Sequence, residues 1–176
     1  MELEQLLRLE ASRRNIDQII NMVIEHKELF DQLWSIYLQN KNPESRRAAW
    51  AIDLLNEMGL FINSNHVREI VAFLPKLKHL GMKRHSLRIL ECKEISIDDI
   101  GTVADICFKW LEAPESSVAV KMYSMKILAK ISEKEPLISR ELIDIIELQM
   151  NDATPGLKNI GAKTIRQLQK RISVLS

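Results

Sequence analysis

Apolar residues in this chain recur with the period of an α-helix. Ile16, Ile19, Ile20, Val23 and Ile24 fall at i, i+3, i+4, i+7 and i+8, and Phe30, Leu33, Trp34, Tyr37 and Leu38 repeat that spacing after a polar break at His26-Lys27-Glu28. Residues so placed share one helix face, so a helical hairpin is predicted here. A short helix over 2–10 precedes it, and Asn15 is the predicted N-cap of the hairpin's first helix. Asn42-Pro43-Glu44 opens a helix reaching about Met58, with Gly59 as a left-handed C-terminal cap. Asn63-Ser64-Asn65 caps a helix over 65–79 that Pro75 should bend or cut, and Gly81 separates it from a short helix over 82–93. Ser96, with Asp98 and Asp99 in the first turn, opens a helix whose core stripe is Ile100, Val103, Ala104, Cys107, Phe108 and Leu111. Ala113-Pro114-Glu115 leads into a helix from Ser117, and helices over 138–150 and 157–173 follow. No stretch alternates apolar and polar long enough to argue a strand.

A triplet recurs along these helices. Lys121, Ser124 and Leu128 stand at offsets 0, +3 and +7, as do Arg47, Trp50 and Leu54; Lys83, Ser86 and Leu90; and Lys158, Gly161 and Ile165. The leading basic residues are 36, 38 and 37 positions apart. A fixed period of that length marks a helical solenoid, in which each hairpin leaves apolar surface that its neighbour must cover. A small residue at +3 admits a close neighbouring helix, and the aliphatic at +7 fills the space between layers. The predicted organisation is one domain over 1–176, with repeats at about 29–60, 64–93, 97–134 and 137–173 and with 1–28 as an N-terminal cap or half-repeat.

This pattern resembles the HEAT repeat of the HEAT/armadillo superfamily, and is most similar to small bacterial HEAT-like proteins of no assigned activity. The likeness runs over roughly 29–172 and is best at 97–134; Trp50 departs from it by standing where a small residue is usual. It implies an all-α, right-handed superhelix of antiparallel helix pairs whose second helices line an inner, concave surface. It implies no chemistry, because fold does not carry function.

Charge changes this picture more than composition does. The chain is 46% hydrophobic and 28% charged, with a formal net charge of +1, so there is no global attraction to polyanions. Sorted by helix, however, the first members of the pairs hold 13 acids and 6 bases, and the second members hold 15 bases and 5 acids. Offsets +1, +5 and +9 from each leading basic residue face away from the core side. They place Arg88, Lys126 and Lys163 in a ladder, with Arg84, Lys130 and Lys170 beside it. Two readings of that face stand: a solvated surface, or a groove for an anionic partner. The leading residues Arg47, Lys83, Lys121 and Lys158 read as structural, each paired with an acid or a carbonyl in a neighbouring turn. Ile52, in an otherwise exposed slot, and Trp50 suit a protein contact.

Other chemistry is thin. Trp50 and Asp53 share a face at i, i+3, and DNA alkylation-repair glycosylases resemble this chain in setting Trp and Asp on HEAT-like repeats; no second matching Trp is evident. His26, His66, His79 and His85 form no metal motif and read as surface residues. Cys107 lies on a core stripe, and Cys92 lies among bases that would favour its thiolate. Two cysteines without disulfide or metal spacing suit a reducing compartment. The N-terminus lacks a signal-peptide pattern, and no apolar run is long enough to span a membrane. The expectation is a cytoplasmic, non-catalytic binding scaffold with no cofactor and no metal. Its partner is a protein, with nucleic acid as the alternative and a glycosylase as the third reading. Membrane association is not expected, and the oligomeric state stays open.

Overall fold

The computed structural model describes residues 2–175, save the side chain of Leu175. Helical periodicity is realised throughout: the described residues form ten α-helices, one 3-10 turn and no strand. They are α1 (Leu3–Leu9), α2 (Arg13–Glu25), α3 (Leu29–Leu38), α4 (Glu44–Glu57), α5 (Ser64–Phe73), α6 (Leu80–Glu91), α7 (Ile100–Glu112), α8 (Val118–Ile131), α9 (Ile138–Met150) and α10 (Pro155–Leu175). The chain gathers into two compact units, one ending at Lys93 and one beginning at Glu94. That border falls between the second and third expected repeats.

Helix ends follow local chemistry. Gly59 takes the left-handed conformation (φ +74°) that a side chain would strain, and so closes α4. Asn63 caps α5 by accepting from the backbone of Asn65 and His66, and the His66 ring accepts in return from the Asn63 N–H. Pro75 ends α5 in a 3-10 turn over Leu74–Lys76. Ser117 Oγ accepts from the Val120 N–H at the start of α8.

Four local expectations are corrected. Ser12, not Asn15, caps α2; Asn15 is buried and donates to the carbonyls of Leu6 and Glu10 at 2.8 and 2.9 Å, folding α1 onto α2. Gly81 does not separate two helices but lies in the first turn of α6, where the His79 ring accepts its N–H. Asp98 and Asp99 precede α7 rather than sit in its first turn. Phe108 is only half-buried, so it does not complete the α7 core stripe.

In the first unit α4 is the central element. It packs against α1, α2, α3 and α6, and ten of its fourteen residues are buried. Tyr37 on α3 and Ser86 on α6 share a hydrogen bond of 2.7 Å in the interior. In the second unit α7 pairs with α8 and α9 with α10, and α10 also packs on α8. The small residues of the repeating triplet do what their size predicts. Ser86 and Ser124 are fully buried, and a Cβ added at Gly161 would lie 2.7 Å from Met150 Sδ and 3.0 Å from Ile146 Cγ2.

Candidate functional site

Two of the leading basic residues, Arg47 and Lys121, link helices. Arg47 is buried on α4, and its Nη1 donates to the Leu7 carbonyl at 2.7 Å, tying α1 down. Lys121 on α8 donates to Gln149 Oε1 on α9 at 2.6 Å. Lys83 is half-buried on α6, whereas Lys158 is exposed near the start of α10.

The two predicted site residues of the first unit have different surroundings. Arg84 is exposed on α6, with Nη2 3.0 Å from His85 Nε2. Arg88 turns inward: Nη1 lies 3.1 Å from Asp53 Oδ2, and Nη2 pairs with Glu57. Its charge is therefore matched by α4 carboxylates, and it is not the freely presented cation that offset counting implies. Asp53 is fully buried and takes a second bond from His85 Nδ1 at 2.8 Å. A guanidinium only donates, so His85 Nε2 accepts from Arg84 and Nδ1 carries the proton toward Asp53. His85 is thus a buried linker rather than a surface histidine, and Trp50 stacks over its ring at 6.3 Å.

Two more expectations fail in this unit. Ile52 is fully buried, because α4 packs against α1, α2, α3 and α6 and leaves it no open slot. The Cys92 thiol is shifted up, not down: burial leads, the adjacent Glu91 and Asp53 add to it, and Arg88 opposes them more weakly. The Trp50–Asp53 pair does not present a carboxylate to a substrate. One oxygen is held by His85 and Arg88; the other, though without a hydrogen-bond partner, is sealed from solvent.

The second unit concentrates its bases on two helices. α8 contributes Lys121, Lys126 and Lys130; α10 contributes Lys158, Lys163, Arg166, Lys170 and Arg171; neither helix contains an acid. Lys126 is half-buried, with its ammonium 5.4 Å from the Tyr123 ring centroid, and Lys163 is exposed. Lys130 lies 3.9 Å from Glu94, whose carboxyl is held below the usual carboxylate range by Lys134 first and Lys130 second. Arg171 closes the C-terminus of α8, donating to the Ala129 carbonyl at 2.6 Å and to Ser132 Oγ at 2.8 Å, and pairing with Glu133. Arg171 thus serves the fold, while Lys126, Lys163 and the exposed Lys170 face outward in varying degree.

Among the described residues, no group of His, Cys, Asp and Glu could hold a metal ion, and no helix is long and apolar enough to cross a membrane. No curated protein and no solved structure shows significant similarity to the chain. A family model described as a HEAT repeat domain matches residues 3–168, nearly the whole sequence. With its all-helical build and its recurring basic–small–aliphatic triplet, the chain belongs to the HEAT repeat family.

Proposed function

We propose that this protein is a non-catalytic binding scaffold that holds an acidic segment of a partner protein on the basic surface of α8 and α10. One observation carries the reading: eight basic residues and no acid on the two second helices of one compact unit. The opposite sign prevails on their partners α7 and α9, which hold five acids and two bases. Such segregation steers a charged partner to one face and disfavours the other. Lys126, Lys130 and Lys163 carry the contact in the second unit. In the first unit Arg84 is the better candidate, because Arg88 is matched by Asp53 and Glu57.

Duplex nucleic acid is the second reading, since phosphates would be drawn to the same lysines. The two readings part in one experiment. Wild type and the Lys126→Glu plus Lys163→Glu variant are titrated with a poly-glutamate peptide, duplex DNA, duplex RNA and heparin at low salt. Preferential binding of the peptide, lost in the variant, supports the protein-scaffold reading. Tighter duplex binding whose logarithm falls steeply with log salt supports the nucleic-acid reading. Equal affinity of wild type and variant for every probe removes the basic surface from both.

A further inference from the structure

A groove of about 860 Å³ opens in the second unit, along α7 and between the C-terminus of α8 and the N-terminus of α9. Its floor is apolar: Ile100, Ala104 and Phe108 on α7, with Ile131 and Ile138 beside them. Its rim is acidic: Asp105, Glu112, Glu135 and Glu141 stand against a single base, Lys109. Large side chains stay wet around it. Ile97, at one end, is 67% exposed, and Leu137, next to Ile138, is 91% exposed. Leaving such side chains in water forgoes the stabilisation that burial would give.

Gly101 adds a second feature. It is the second residue of α7 and has no left-handed φ that would call for a glycine. A Cβ built there meets nothing within 4 Å. Packing within the unit therefore does not require a glycine at this position. Its bare Cα lies at the groove, where it lets an occupant approach the α7 backbone closely.

The geometry points to a basic amphipathic helix of a partner protein as the occupant of this groove. Three properties select it. The net negative rim matches lysines or arginines and repels acids. The floor follows the face of a thirteen-residue helix, a length of about 20 Å that matches three to four helical turns. Finally, the long wall of the groove is the flank of α7, from Ala104 to Phe108, where the helix's backbone groups are already bonded internally. An extended segment would find few partners for its own N–H and C=O groups, whereas a helix brings its own satisfied. This surface differs from the basic face of α8 and α10 and selects a partner of opposite charge.

The test uses the full chain and a fluorescein-labelled Leu/Lys amphipathic peptide of about 14 residues, with a Leu/Glu peptide of the same pattern as control. Fluorescence anisotropy reads binding to wild type, to Gly101→Trp, which fills the groove, and to Glu112→Lys plus Glu141→Lys, which reverses the rim. The expected result is saturable binding of the Leu/Lys peptide only, weakened about tenfold or more by either variant, the size expected when a central anchor is lost. Lys126→Glu plus Lys163→Glu should leave this binding unreduced, so failure here and failure of the basic-surface reading are distinguishable. The inference is overturned if Gly101→Trp and the rim reversal both bind like wild type, or if the Leu/Glu peptide binds equally well. It is also overturned if wild type sediments as a dimer that Gly101→Trp dissociates, because the groove would then belong to a second copy. The rim variant changes exposed residues only, so it reads the groove even if Gly101→Trp folds poorly.

Discussion

The carboxylate of Asp53 lies 2.8 Å from the Nδ1 atom of His85, across 32 residues of sequence and wholly out of solvent. This contact joins α4 to α6, and Arg88 reinforces it from the rim at 3.1 Å. Its two sides differ in burial. Asp53→Ala leaves the buried His85 N–H without its acceptor and should cost about 1–3 kcal/mol. Arg88→Ala removes the guanidinium that matches the buried Asp53 carboxylate and should cost about 3 kcal/mol, the low end for leaving a buried charge unpaired. Urea unfolding reads both as a shift in midpoint at constant slope. A cost for Arg88→Ala no larger than that of an ordinary surface ion pair would contradict a buried carboxylate that depends on its guanidinium.

Arg47 should govern the docking of α1. Its Nη1 holds the Leu7 carbonyl, and it is one of the few buried charges of the first unit. Arg47→Met keeps the stem and removes the bond, at about 1.5–3 kcal/mol for a charge-assisted hydrogen bond. Amide exchange should quicken in α1 far more than in α5. A uniform change across the unit would mean that Arg47 supports the whole core rather than this one contact.

Two glycines should respond oppositely to substitution. Gly161→Val drives branched carbons into Met150 and Ile146 and should destabilise by about 1–3 kcal/mol through overpacking. Gly101→Ala meets open space in a helix and should stabilise by about 0.5–1 kcal/mol. Thermal unfolding of the two single variants checks the sign of each.

Alkali should weaken the fold in a defined window. Burial pushes the Cys107 thiol from 9.0 up to about 12, only partly offset by the nearby Ser124 side chain, and burial likewise raises the Tyr37 hydroxyl above its ordinary 10.0. Above pH 9 the unfolded chain releases these protons while the folded chain keeps them, so stability falls as pH rises. Stability against urea should therefore hold below pH 9 and decline steadily from there toward pH 12. Cys107→Ser and Tyr37→Phe should each flatten part of that decline. At pH 8, a thiol reagent should label exposed Cys92 in the native protein and reach Cys107 only on unfolding.

Residue spacing carried the helices a long way. The triplet offsets identified Ser86, Ser124 and Gly161 as points of close helix approach, since a position of that period must face a neighbour whichever neighbour it is. The same counting failed at Ile52 and Arg88. It assumes that every second helix keeps the same face open, and α4 buries that face at Ile52, while Arg88 faces carboxylates 31 and 35 residues earlier in the chain. His85 was missed for the same reason: nothing near it in sequence announces a buried carboxylate as its partner. The groove left only a faint trace, the excess of acids on α7 and α9, because its floor is assembled from three helices.

By itself, then, the sequence determined which segments are helical, which faces seek burial and where charge of each sign accumulates. These depend on residues three and four apart, and helix geometry fixes how such residues relate. Tertiary structure alone decided which bases are matched by acids, which apolar residues stay wet and where small side chains leave a groove. Those outcomes depend on which distant side chains meet, and no local period encodes that.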